Sequence, residues 1–235
     1  MRNLKILTAI LLAIFTLIFT SCEVKEVGKP LSQGTIEFEV TYPELDSNNI
    51  VLKFMPENME MSFKDNKYSH EWAAGLGLFK TGYVTDCTTK KMDYLLKLIN
   101  VKYKSSYDAE SIITMNGEYP KFTLIPTSDT KEIAGYTCHR MIVDFEKKDL
   151  EDTEVFYTTH FALDDPNWCN PIKGVPGVMM EYRISKYDLT MKMTAVEVIN
   201  KEIDLDDLAV PKEYQKIPNG RMEYKIKETF INFLN

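Results

Sequence analysis

The chain has 235 residues, 44% of them hydrophobic, with 28 Lys+Arg against 35 Asp+Glu and a net charge of −7. An acidic balance with no basic stripe repels phosphate backbones and argues against a nucleic-acid partner. The length suits one generous domain or two small ones, and it can bury a full core without disulfide staples.

Residues 1–21 carry Arg2 and Lys5 and then an apolar run from Ile6 to Phe19. A positive start followed by an apolar stretch of this length is the layout of a secretory signal. It falls short of the about 20 apolar residues that a comfortable spanning helix needs. The small residues Thr20 and Ser21 precede Cys22, and the chain then turns polar at once. This pattern resembles a bacterial lipoprotein signal, in which the cysteine after the cut is acylated. It departs from that pattern in having Phe19 and Thr20 where Leu and then Ala or Ser are usual. The alternative is a plain secretory signal with an incidental cysteine. Two or more acyl chains hold a protein on a bilayer without crossing it, so Cys22 is the expected membrane attachment. Removing residues 1–21 takes away two basic residues and no acid, so 26 basic residues remain against 35 acidic ones, a charge of −9.

Residues 22–33 are polar, with Gly28 and Pro30, and read as a tether to a single β domain over 34–235. In TIEFEVTY, Ile36, Phe38, Val40 and Tyr42 alternate with Glu37, Glu39 and Thr41, the pattern of a half-buried antiparallel strand. NMEMSFK and YSHEWA flank the turn DNK and predict a hairpin. FKTGYVTDCT follows as a strand. KKMDYLLKLINVKY fits both helical spacing and a strand, and its neighbours favour a strand. SYDAESIITM opens with Ser106 and Asp108, first-turn residues for a short helix. KFTLIP, YTCHRMIVDF and EVFYTTHFAL are the next strands. After a Pro-rich crossing, GVMMEYRI and LTMKMTAVEV flank the hairpin loop SKYD. Tyr224, Ile226, Phe230 and Phe233 form an uneven apolar stripe that allows a C-terminal helix. The sum is about eight to ten mostly antiparallel strands with one or two helices, without a βαβ rhythm or an internal repeat. A curved one-sided sheet with helices on its concave face and a β-sandwich both satisfy it.

Reactive chemistry is thin. His70, His139 and His160 lie far apart in predicted strands with no acid or cysteine at ligand spacing, so no metal site is expected. There is no G-x-S-x-G. The acidic pairs Glu151/Asp152, Asp164/Asp165 and Asp206/Asp207 fall at element ends, where carboxylates ordinarily cap or face water. Gly75 and Gly77 lack the Lys and the strand-to-helix switch of a phosphate loop. No cofactor and no catalytic residue is assigned, and the chain is read as a non-enzyme. Beyond Cys22 there are Cys87, Cys138 and Cys169, whose three pairings are open; Cys138 to Cys169 closes the shorter loop and is favoured.

The methionines and aromatics carry more. Met59, Met61, Met180, Met191 and Met193 sit in predicted strands with Trp72 and Tyr182. Flexible, polarisable Met surfaces accept apolar partners of varied shape. These seven residues are the candidate apolar ligand face, although strand methionines alternating with polar residues ordinarily pack inward as core.

One stretch, TKEIAGYTCHRMIVDFE, is similar to the I-x-G-Y-x-C signature of an uncharacterised family of bacterial envelope proteins, matched by Ile133, Gly135, Tyr136 and Cys138. PIKGVPGVMMEYRI resembles the same family's Leu-Pro-Gly-x-x-x-Glu element through Pro176, Gly177 and Glu181, with Val175 in place of Leu. VPKEYQKIP resembles its closing Pro-x-x-Tyr segment, and GTIEFEVTYPE is also family-like, so the likeness spans about residues 34–218. The family looks related to the lipoprotein-carrier (LolA/LolB-like) fold, which implies an unclosed half-barrel with helices against its concave face and an acyl chain or envelope protein as ligand. The expectation is an outer-membrane-anchored lipoprotein of a Gram-negative envelope, facing the periplasm, that binds a lipid, acyl chain or lipoprotein. The alternative is an assembly lipoprotein that acts by protein contact. The sequence leaves the oligomeric state open.

Overall fold

The computed structural model describes residues 28–46 and 48–234. The lipidation candidate Cys22 and the signal stretch lie outside the described residues. Twelve strands form one sheet: β1 (Gln33–Thr41), β2 (Asn58–Lys64), β3 (Lys67–Ala74), β4 (Phe79–Asp86), β5 (Lys91–Leu98), β6 (Val101–Tyr107), β7 (Phe122–Ile133), β8 (Tyr136–Phe145), β9 (Thr153–Thr158), β10 (Val178–Lys186), β11 (Leu189–Ile199) and β12 (Gln215–Lys216). Two helices accompany them, α1 (Ala109–Met115) and α2 (Asn219–Leu234).

The spatial order is β12-β6-β5-β4-β3-β2-β1-β11-β10-β9-β8-β7. Two antiparallel meanders, β1 to β6 and β7 to β11, are joined where β1 pairs with β11. The sheet is an unclosed, curved half-barrel. Segment 108–121, with α1, carries the chain from the β6 edge to the β7 edge. After β11, residues 201–214 cross the outer face, where Lys64 Nζ donates to Ile203 O at 2.7 Å. That crossing delivers β12 to pair parallel with β6, and α2 then returns over the inner face.

The turns explain the tight meander. Asp65 and Asn66 at the β2–β3 turn have φ of 51° and 59°, and Tyr187 and Asp188 at the β10–β11 turn have 55° and 59°. Two consecutive left-handed residues match the twist of paired strands. Ala134 (φ 48°) and Gly135 (φ 77°) make the same turn between Ile133 and Tyr136, so the I-x-G-Y-x-C motif is a hairpin device. Gly177 has a packing role: a Cβ there would lie 2.3 Å from Thr158 O.

Several boundaries differ from the sequence reading. KKMDYLLKLINVKY is two strands, split at Ile99 (φ 54°). KFTLIP runs on past Pro126 to Ile133 through a register shift. His160 lies beyond β9, because the strand ends at Thr158. The expected tether is ordered by residue 31: Leu31 N–H donates to His160 O at 2.7 Å, and Ala162 N–H donates to Leu31 O at 2.9 Å.

The inner face is the core. Across β1 to β6, register aligns Phe38, Met59, Trp72, Thr81, Leu96 and Tyr103 in one row and Ile36, Met61, His70, Tyr83, Tyr94 and Ser105 in the next. The second meander continues the first row with Ala195 beside Phe38, and Met193 lies beside Val40 and Tyr182. Alternation by two places every one of these side chains on a single face. Burying each large one stabilises the fold by about 1.5–3 kcal/mol.

Candidate functional site: an apolar groove on the inner side

The expected ligand face is filled. Met59, Met61, Met180, Tyr182 and Met193 are all buried, with Met180 at 0% exposure. Trp72 and Met191 are half-buried and border a space of only about 90 Å³ beneath Ile226 and Phe230 of α2. α2 stays on this face because Met222, Ile226 and Phe230 repeat at helical spacing and are buried. Glu223 adds hydrogen bonds from Tyr187 (2.6 Å) and Tyr107 (3.3 Å). The correction to the ligand-face expectation is therefore physical: these residues interlock as core, with α2 over Trp72 and Met191 and Pro166, Asn167 and Asn170 over Met61 and Tyr182.

Inside that core His70 and Tyr83 share a 2.7 Å hydrogen bond at Nδ1. Burial lowers the imidazole to about 3, so the ring is neutral. His70 Nε2 and Trp72 Nε1 have no hydrogen-bond partner. Both belong to an aromatic cluster with Tyr68, Tyr83 and Tyr94, in which neighbouring ring centroids lie 4.9–6.4 Å apart.

The large hollow is elsewhere. A groove of about 990 Å³ runs between α1, residues 165–174 and the start of β7. Its apolar lining comes chiefly from Ile112, Ile113, Tyr119, Phe122, Leu124 and Trp168. α1 forms its wall because Asp108 caps the helix: its Oδ1 accepts from Ser111 N at 2.9 Å and from Ser111 Oγ at 2.6 Å. Ile112 anchors the helix at 3% exposure, and its neighbour Ile113 stays 64% exposed. Asn116 Nδ2 donates to Cys169 O at 3.2 Å and ties the end of α1 to the opposite wall. On the β7 side Tyr119, Phe122 and Phe145 pack with centroids 6.2–6.3 Å apart. Burial raises the Tyr119 phenol to about 12, so it stays protonated.

Trp168 is held by an Nε1–H···Thr85 Oγ1 bond of 3.0 Å. Lys90 lies over its ring at 5.7 Å and pairs with Asp165 at 2.7 Å. That pair neutralises one charge of each sign in the lining. Lys121 and Lys173 also border the groove, with Glu146 as the remaining acid. Neither lysine makes an ion pair among the described residues. The lining holds no His, Ser, Thr or Cys; its charged groups are Lys90, Lys121, Lys173, Glu146 and Asp165. Among the described residues no group of three or more His, Cys, Asp and Glu is placed to hold a metal ion.

Cys87, Cys138 and Cys169 are all reduced in this structure, and packing opposes the favoured Cys138–Cys169 bridge. Cys138 opens β8, where its Sγ donates to Tyr136 O at 3.4 Å, whereas Cys169 sits against Tyr68 Oη of β3 at 3.4 Å. The two thiols pack against different strands. Glu181, the acid of the V-P-G-x-x-x-E element, pairs with Lys131 (2.9 Å) and Lys192 (3.5 Å). Burial pushes its carboxyl up, but these lysines outweigh burial and hold it below the usual range.

Sequence reasoning missed the groove residues. The Pro-rich crossing that carries Trp168 reads only as a loop, and the adjacent Ile112 and Ile113 were the one local sign that α1 has a second apolar contact to make.

Fold and site together define a mainly β protein: an unclosed twelve-stranded sheet with two helices, a filled inner face and one large apolar groove. No protein-family model matches the chain, and no curated protein matches it. Among the described residues no helix is long and apolar enough to cross a membrane.

Proposed function

We propose that this chain is a non-catalytic, membrane-anchored envelope lipoprotein that binds a hydrophobic ligand, with an acyl tail laid in the groove between α1 and residues 165–174. One observation carries the reading: a groove of about 990 Å³ with a chiefly apolar lining stands beside a face that is otherwise filled. This is the upper end of the about 300–1,000 Å³ typical of ligand sites. The anchor rests on the sequence of residues 1–22, with Cys22 acylated and the domain held at the outer membrane of a Gram-negative envelope, facing the periplasm. The resemblance of Ile133–Cys138 and Val175–Glu181 to envelope-protein motifs supports a lipoprotein-carrier relationship.

Magnitudes set the ligand's size. Each buried methylene contributes about 0.8 kcal/mol, and association costs about 4–15 kcal/mol. Even at the low end of that cost, a tail of roughly fifteen methylenes is needed for micromolar affinity. Lys121 and Lys173 at the rim suit an anionic head.

The test is a titration of detergent-extracted full-length protein with a fluorescent long-chain fatty acid. Saturable binding is expected, weakened at least tenfold by Leu124→Asp. No saturable binding, or binding indifferent to Leu124→Asp, would falsify the reading. It would leave the second one, a lipidated scaffold acting by protein contact, which the filled inner face favours.

A further inference from the structure

Residues 164–169 are laid across the ends of β3 and β4 by a set of bonds that share one small region. Asp164 N–H donates to Asn66 Oδ1 at 2.7 Å, and Cys87 N–H donates to Asn66 O at 3.0 Å. Asn66 therefore holds both segments. Tyr68 Oη donates to Pro166 O at 2.6 Å and lies 3.4 Å from Cys169 Sγ. Trp168 Nε1 donates to Thr85 Oγ1 at 3.0 Å. Tyr68 and Thr85 are direct cross-strand partners, and Thr85 precedes Cys87 by two residues. Lys90, three residues past Cys87, closes the arrangement on Asp165 at 2.7 Å.

Cys87 and Cys169 thus occupy one buried neighbourhood, exposed by 2% and 4%. Cys138 is bonded to its own hairpin, outside this neighbourhood. We propose that Cys87 and Cys169 form a disulfide in the oxidised protein and leave Cys138 as the odd thiol.

The chemistry balances as thiol–disulfide exchange with a dithiol/disulfide oxidant, such as oxidised glutathione or a disulfide-donating oxidoreductase. The Cys87 thiolate attacks the oxidant's disulfide and one oxidant sulfur leaves as a thiolate. The Cys169 thiolate then attacks the Cys87 sulfur and releases the second oxidant sulfur. Two electrons pass to the oxidant, and its two thiolates take up the two protons that the cysteines lose.

Timing follows from burial. In the folded chain burial, with the neighbouring Cys169 second, pushes Cys87 to about 12, and burial pushes Cys169 to about 11. Hidden, protonated thiols are poor nucleophiles, so the bond closes before residues 164–169 are seated. Once made, it ties the wall bearing Asp165, Trp168 and Asn170 to the β4–β5 turn. The pairing stands or falls independently of ligand binding.

The experiment is refolding of the full chain in a glutathione redox buffer, followed by alkylation, digestion and mass spectrometry. The expected product links the peptides of Cys87 and Cys169 and leaves Cys138 alkylated. Reductant lowers the melting temperature by about 5–15 °C, since the loop from 87 to 169 is long. Cys138→Ser keeps both the link and that shift; Cys169→Ser loses both. Any link through Cys138 or Cys22, or refolded protein with Cys87 and Cys169 both alkylated, overturns the proposal. Peptide mapping of the wild-type chain decides the matter even if a variant fails to fold.

Discussion

The inner face beneath α2 and the groove beside α1 are built from the same kinds of residue and end in opposite states. On the inner face, rows of Met and aromatic side chains interlock; the 16-residue α2 closes over the part around Trp72, Tyr94 and Met191. Beside α1 the covering helix has only seven residues, and the facing wall is an irregular segment with Pro166 and Pro171 and with Gly174 at φ 92°. Composition does not decide whether an apolar surface is core or site. How closely the cover seats decides that. α2 seals one part of the inner face through apolar contacts repeated at helical spacing, and Pro166, Asn167 and Asn170 seal another around Met61, Tyr68 and Tyr182. By contrast, α1 touches its groove through few side chains.

The contrast breaks most visibly at its filled end. Met193→Asp buries a carboxylate where exposure is 1%, between Val40 and Tyr182 on the neighbouring strands. The expected loss exceeds about 4 kcal/mol, read by urea denaturation. A cost under about 1 kcal/mol would mean that the face is hydrated after all.

A smaller effect separates the two regions by pH. The folded His70 titrates near 3, against about 6.5 when unfolded. Between those values the unfolded chain binds the extra proton, so stability is lost as pH falls from about 6.5. The slope is about 1.4 kcal/mol per pH unit. In the window from about 6.5 to 5 His70 is the shifted group that acts, because the lowered carboxylates Asp108, Asp149, Glu181 and Glu213 act only further down. His70→Phe is expected to flatten the stability profile over that window while leaving ligand affinity unchanged. An unaltered profile would show that the ring is not desolvated.

The smallest effect sharpens the open end. Asp108→Ala removes the cap of α1. The melting temperature is expected to fall by about 2–4 °C, with a few-fold loss of fatty-acid affinity as the groove wall frays. Unchanged affinity with a lowered melting temperature would detach α1 from the site.

Much of this was legible in residues. The alternation in TIEFEVTY and NMEMSFK placed Phe38 and Met61 on the buried face, and Asp108 marked the start of α1. Other features were not. Ile99 interrupts KKMDYLLKLINVKY with a left-handed turn that a β-branched residue disfavours, so no local signal announced the split. The pairing of β1 with β11 joins residues far apart in the chain, and no pattern within either strand specifies it. The neighbourhood of Cys87 and Cys169 depends on the same long-range closure, which is why loop length alone favoured Cys138.

By itself the sequence determined which residues lie on one face of each strand and where most hairpins turn. Those features follow from backbone geometry with a period of two and from short-range turn chemistry. Tertiary structure alone decided that the methionine face is sealed, that the hollow lies instead between α1 and residues 165–174, and which thiols share a neighbourhood. Each of these depends on the distance between segments that the chain joins only through the whole sheet, and no local pattern carries that distance.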